Sequence, residues 1–442
     1  MRPTALLLTL FVASACIAPA PGSNSGDDKG STSSTGAEAA TTTVTEPVLP
    51  EGTEDLPPAL QEELIYLIGR TQELRELPFL EPPKVDVVTP DELAADIMQQ
   101  FAEELDTVEV DEALYRLLGM LDDDDDLLTL YQTLYGESVI GYYDGEIQKL
   151  VVTSSSETFS PLEESTIVHE LTHAVTDQHF HLHDAMTALD DEQRWDEYSG
   201  MQALVEGDAV LSELHYVQQL TPSDQADYLT EAMNVDTSVL DSAPEFIAES
   251  LVFPYDTGLE FVMSLHGQGG YQALDDAYSR PPESTEQVFD PSGYLIEHPL
   301  QVEMPTSELA GYELTYQSNW GELGFQLMFD QLVGGNAIAA DGWGGDSYAV
   351  YYKPDGGDLL MTLEYQGDTV TDTEEMEEAL RQSIEAGMDV SPHEELEEGE
   401  IDREPYVGGD YAFVSRSEDR LLWIVATDPA VGAAARGWFS DF

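Results

Sequence analysis

The sequence predicts an α+β protein: a mainly helical region carrying a small sheet, then a small α+β domain at the C-terminus. Three observations lead there. Apolar residues recur at helical spacing from Leu60 through Leu64, Leu67 and Ile68. The run "SVIGYYDGEIQKLVVT" alternates and turns at Asp144-Gly145, the pattern of a β-hairpin. From about residue 300, strand-like runs such as "DSYAVYY" and "LLMTLEY" replace the helical pattern.

Composition narrows the partners. The chain has 442 residues, long for one core, and a hydrophobic fraction of 42%, ordinary for globular proteins. Its charge is not ordinary: 89 acidic residues face 15 basic ones, a formal net charge of -74. A field of that sign repels nucleic acid and anionic lipid surfaces, so neither is expected as a partner. The apolar content is too high for general disorder. A folded protein with a carboxylate-rich surface remains, and such surfaces resemble those of proteins from salt-loving organisms, where salt screens the self-repulsion. The fold is expected to loosen in dilute buffer.

Elements follow in order. Residues 1–15 have Arg2 and then an apolar run from Ala5 to Ala15, too short to span a bilayer. They read as a secretory signal. The end, "ASAC", resembles a lipoprotein signal, which implies a lipid on Cys16, the chain's single cysteine. That would anchor the protein at the extracellular face of the membrane; a plain secretory signal would release it. Residues 16–55, rich in Ser, Thr and Gly, read as a flexible tether. A helical region is expected over about Pro90 to Leu121, followed by the acidic run Asp122–Asp126, read as a solvated loop. After the hairpin, "SPLE" places Ser160 at an N-cap, Pro161 first in a helix and Glu163 third, so a helix should run to about Phe180. Another spans about Glu192 to Leu220. Shorter helices are expected at 222–234, 244–252, 256–266 and 270–279, broken by "FPYDTG" and "GQGG". In the C-terminal part, "DTEEMEEALRQSIEAG" reads as an amphipathic helix closed by Gly387. "DYAFVSRS" and "RLLWIVAT" read as a further hairpin, and an acidic loop spans 390–409.

Chemistry concentrates in "STIVHELTHAVTDQHF", Ser165 to Phe180. His169 and His173, four apart on a helix, share one face. Two neutral imidazoles presented this way can grip one Zn²⁺, and Glu170 beside them can take a proton from water on the metal. "HELTHAVTD" resembles the zinc-motif helix of thermolysin-like proteases. The resemblance implies a zincin fold, with a small twisted sheet over the motif helix. It also implies His169 and His173 as ligands and Glu170 as general base.

A catalytic zinc takes three protein ligands and leaves one position open. No HExxHxxGxxH pattern is present, and "HFHLH" (His179, His181, His183) reads as a polar turn. Glu206 lies among Ala203, Leu204, Val205 and Ala209, where a buried carboxylate needs a partner or a metal. "EGDA", Glu206 to Ala209, resembles the third-ligand segment of aminopeptidase-type gluzincins. Glu192 and Glu197 are rivals. Asp177 and Asp208 are candidates to orient the ligand imidazoles, or ordinary charges. Zincins also use a donor to the oxyanion; Tyr255 is the first candidate, after the break in "FPYDTG", with His266 and His298 as alternatives. Together with "STEQV" and "GWGGDSY", these segments resemble a group of secreted zincin-like proteins. Ser284–Gln287 and Gly342–Tyr348 are then either substrate-facing loops or structural turns.

The resulting expectation is a zincin-like metallopeptidase domain over residues 56–300 and an α+β domain over 301–442. Its activity would be zinc-dependent hydrolysis of protein or peptide substrates at the cell surface. The alternative is a zincin-fold surface binding or assembly lipoprotein without turnover.

Overall fold

The computed structural model describes residues 8–10, 49–101, 107–122, 124–154, 156–335, 337–354, 356–391 and 404–442. Cys16, most of the signal and tether, and most of the acidic loop lie outside them. The class is α+β, as expected. Helices α1 (Pro58–Arg75), α2 (Pro90–Phe101), α3 (Val108–Leu118) and α4 (Leu127–Ser138) come first. After the hairpin come α5 (Pro161–Phe180), α6 (Leu182–Asp191), α7 (Trp195–Val217), α8 (Pro222–Ala232) and α9 (Ser238–Ser242). Then follow α10 (Glu245–Gly269), α11 (Tyr271–Tyr278), α12 (Glu286–Phe289), α13 (Gly321–Val333), α14 (Val370–Gly387) and α15 (Pro429–Ala435).

The first sheet has the order β1-β3-β4-β2, from β1 (Leu8–Leu10), β2 (Lys84–Val88), β3 (Val139–Asp144) and β4 (Lys149–Thr153). β3 and β4 form the expected antiparallel hairpin, and β2 joins β4 in parallel. Side chains alternate across β3. Tyr143 donates its hydroxyl to Asp177 of α5 at 2.8 Å, while the Tyr142 hydroxyl bonds Asp96 of α2. The sheet is thereby clasped between the motif helix and α2.

The second sheet is fully antiparallel, in the order β5-β6-β7-β10-β9-β8. Its strands are β5 (Glu313–Ser318), β6 (Trp343–Lys353), β7 (Asp358–Gly367), β8 (Tyr406–Val407), β9 (Tyr411–Ser417) and β10 (Arg420–Ala426). Both faces are buried. Tyr348 and Val350 point into one apolar cluster with α14, Ala349 and Tyr351 into another with α15. The first cluster also takes Tyr115 of α3, Trp195 of α7 and Phe246 of α10.

Several expected boundaries move. The region 90–121 holds two helices, α2 and α3. α4, α13 and β2 lie where no element was expected. The stretch 244–266 is not broken at "FPYDTG": α10 runs from Glu245 to Gly269 with Pro254 inside it. An internal proline removes one helix hydrogen bond at a cost of about 3 kcal/mol, and here packing outweighs it. α10 lies in backbone contact with α7. A Cβ on Gly207 would stand 2.3 Å from the Gly258 carbonyl oxygen, and one on Gly258 would stand 2.4 Å from that of Ala203. Phe246, Phe253 and Phe261 are buried along the same helix.

Candidate metal centre

The centre begins with how α5 is held. Ser160 and Glu163 form the expected capping box: Glu163 N donates to Ser160 Oγ at 3.3 Å, and Ser160 N to Glu163 Oε2 at 2.7 Å. From Ser165 to Asp177 the helix is buried throughout. His169 and His173 project one turn apart, with ring centroids 4.8 Å apart. α7 crosses this face and brings Glu206 to them. Its Oε2 lies 3.1 Å from His169 Nε2 and 3.3 Å from His173 Nε2. One donor atom from each of the three falls within 4.8 Å of the others, a grouping that could hold a metal ion.

The local electrostatics ask for a cation. The three residues are no more than 1% exposed, and Glu170 is fully buried. No hydrogen bond satisfies Glu206 Oε1 or His173 Nδ1, and buried polar groups are rarely left so. Burial pushes the Glu170 carboxyl up to about 8, with the charges of Glu206 and Glu213 adding to it against the pull of His169. Burial pulls His169 down, but Glu206, which accepts from its Nε2, and the nearby Glu213 carboxylate outweigh this, lifting it to about 10. Burial alone would raise Glu206, yet the two histidines take it down to about 2. Carboxylates converge on imidazoles in a closed space, and positive charge neutralises them, either as protons on the rings or as a metal ion in their place. Two nitrogens and one carboxylate oxygen fit a zinc ion.

Other expected residues fall as follows. Tyr255 lies inside α10, not after a break, yet it reaches the centre: its ring stacks 6.3 Å from that of His169. The rivals Glu192 and Glu197 both pair with Arg194 instead. His266 packs on His215 and Tyr271, and His298 pairs with Glu283 at 2.8 Å. His179 Nε2 lies 2.7 Å from the Pro78 carbonyl oxygen, and His181 caps α5 in a left-handed conformation at φ 55°. Asp177 accepts from Tyr143 and from the His183 backbone, so it does not orient a ligand ring. Asp208 pairs with the buried Arg75 at 2.8 Å and accepts from Tyr278.

The residue that does approach a ligand from behind is Glu213, which sequence reading missed. Its Oε2 lies 3.5 Å from His169 Nδ1. Tyr228 of α8 donates to its other oxygen at 3.4 Å. The signal was available: Glu213 is seven residues after Glu206, on the same helix face. Ser284–Gln287 and Gly342–Tyr348 are tied down by internal hydrogen bonds. Thr285 donates through N and Oγ1 to the buried Asp196, and Asp346 accepts from Trp320 N, Gly321 N and Trp343 Nε1.

Fold and centre together define an α+β protein with a buried His-His-Glu group able to hold a metal ion. Residues 312–436 match a domain of unknown function, DUF8575. That match covers the second sheet and not the centre. No curated protein and no solved structure matches the chain.

Proposed function

We propose that this chain is a zinc metallopeptidase of the gluzincin type. It acts on protein or peptide substrates at the outer face of the membrane, tethered by a lipid on Cys16. The observation that carries the reading is the convergence of His169, His173 and Glu206 with Glu170 beside them. These three residues would hold the ion. When bound, zinc supplies Lewis acidity toward water and a substrate carbonyl. The rest falls to the chain. Glu170, fully buried and next to His169 in the chain, is the base that takes a proton from the attacking water and passes it to the leaving amine. Tyr255, with its ring beside His169, is the candidate donor to the oxyanion.

One observation favours a second reading. All four residues of the centre are closed to solvent, as in a metal site that holds structure in a surface binding or assembly lipoprotein without turnover.

The deciding experiment uses protein purified in molar salt. Wild type should hold about one zinc per chain and cleave peptides. Glu170→Gln should keep the zinc and lose turnover by on the order of a hundredfold or more. Zinc without cleavage of any protein or peptide, across salt and pH, would establish the second reading. Cys16→Ser should move the protein from the membrane to the soluble fraction.

A further inference from the structure

Away from the metal centre, α10 and α13 flank a cavity of about 660 Å³. That volume is typical of small-molecule sites. Residues of α10 line it at one-face spacing: Glu245, Glu249, Val252, Phe253 and Asp256. From α13, Leu323, Leu327 and Asp330 face them, and Phe289 adds to the apolar floor. The chemistry is split. Phe253 and Leu327 are buried at the bottom, whereas Glu245 and Glu249 are exposed at the rim. Asp241 completes an acidic ring, and no lysine, arginine or histidine lines the cavity among the described residues.

The carboxylates of the rim act on one another. Burial raises the Glu249 carboxyl, and the charges of Asp330 and Glu245 raise it further. Like charges held together over an apolar floor are mutually unfavourable, and a cation placed among them relieves the repulsion. An inorganic cation would leave the floor unused; a neutral apolar molecule would leave the ring unrelieved. We propose that this cavity is a binding site for a small organic cation, a ligand with an apolar body seated on Phe253, Phe289 and Leu327 and an ammonium or guanidinium end among Glu245, Glu249 and Asp330. The site is separate from the His-His-Glu group and stands whether or not the chain is a peptidase.

The test compares isosteric probes on the full chain at the lowest salt that keeps it folded, read by calorimetry and by ligand-observed NMR. The probes are 4-phenylbutylammonium, 4-phenylbutan-1-ol and 4-phenylbutanoate, with calcium alone as a control. The ammonium should bind about tenfold or more tighter than the alcohol, since a charge-assisted contact in a partly desolvated site is worth that much. The carboxylate should not bind. Glu249→Gln with Asp330→Asn, both near the mouth, should bring the ammonium down to the level of the alcohol. Ala248→Phe, which fills the cavity from α10, should abolish binding of both. Equal binding of ammonium and alcohol overturns the proposal, as does an ammonium affinity unmoved by the charge variant. So does calcium that excludes the amine by occupying the ring itself.

Discussion

Glu213 approaches His169 from the opposite side to Glu206: Oε2 of Glu213 stands 3.5 Å from Nδ1 of the ring, while Glu206 stands 3.1 Å from Nε2. Both carboxylates come from α7, two turns apart. The helix that supplies the third donor thus also places a carboxylate behind the ring. A carboxylate in this position fixes the tautomer that leaves Nε2 free for a metal. Glu213→Gln should weaken zinc about 10–100-fold, measured by competition with a chelator, without unfolding the protein. Unchanged affinity would leave Glu213 no part in the centre.

The donors themselves make a sharper contrast. His169→Ala, His173→Ala and Glu206→Ala should each abolish stoichiometric metal, read by elemental analysis. Glu192→Ala and Glu197→Ala, whose partner is Arg194, should leave it intact. Full zinc in the Glu206 variant would move the third ligand elsewhere.

Gly207→Ala tests how α7 is seated. Its methyl group would lie 2.3 Å from the Gly258 carbonyl oxygen, which is backbone and cannot step aside. Overpacking of this kind costs about 1–3 kcal/mol, visible as a lower denaturant midpoint. Glu206 is the preceding residue, so zinc affinity should fall too. An unchanged midpoint would mean that the two helices separate freely.

A pH trend follows from the acidic cluster around the α12 turn. Burial, then neighbouring charge, pushes Glu286 up to about 8 and Glu322 up to about 9. Burial lifts Asp196 to about 7 even though Thr285 donates to it. A carboxyl raised on folding contributes its stability below the unfolded value, and loses it as pH climbs through the folded one. The contribution of these carboxyls to the melting temperature at fixed salt should therefore fall from roughly pH 4 to pH 9. Asp196→Asn should flatten the slope. A flat wild-type profile would show these carboxyls ionised at little cost.

What could be read from the sequence was what local rules govern. Ser160, Pro161 and Glu163 announced α5, and four-residue spacing put His169 and His173 on one face. An apolar setting singled out Glu206. What could not be read depended on distant partners. Pro254 looked like a helix break because local propensity says so, and the contact of Gly258 with α7 overrides it. Tyr255 was singled out on the strength of that break and lies beside His169 for another reason. Asp208 looked like a support for the centre, but Arg75, far away in the chain, claims it. Strand β2, exposed at one end and paired in parallel with β4, carried no clear alternation to give it away.

The match to DUF8575 begins at residue 312, yet the packing does not respect that border. Trp195 of α7 meets Tyr316 of β5 with ring centroids 4.8 Å apart, and Tyr316 and Tyr352 donate to Asp111 and Glu109 of α3. A stretch that is inherited as a recognisable unit is thus not a separable piece of the folded molecule here. Gene rearrangement could carry residues 312–436 elsewhere only if the new host supplied aromatic and carboxylate partners of its own. A substitution at Tyr316 or Tyr352 would therefore be felt in α3 and α7, through Asp111, Glu109 and Trp195.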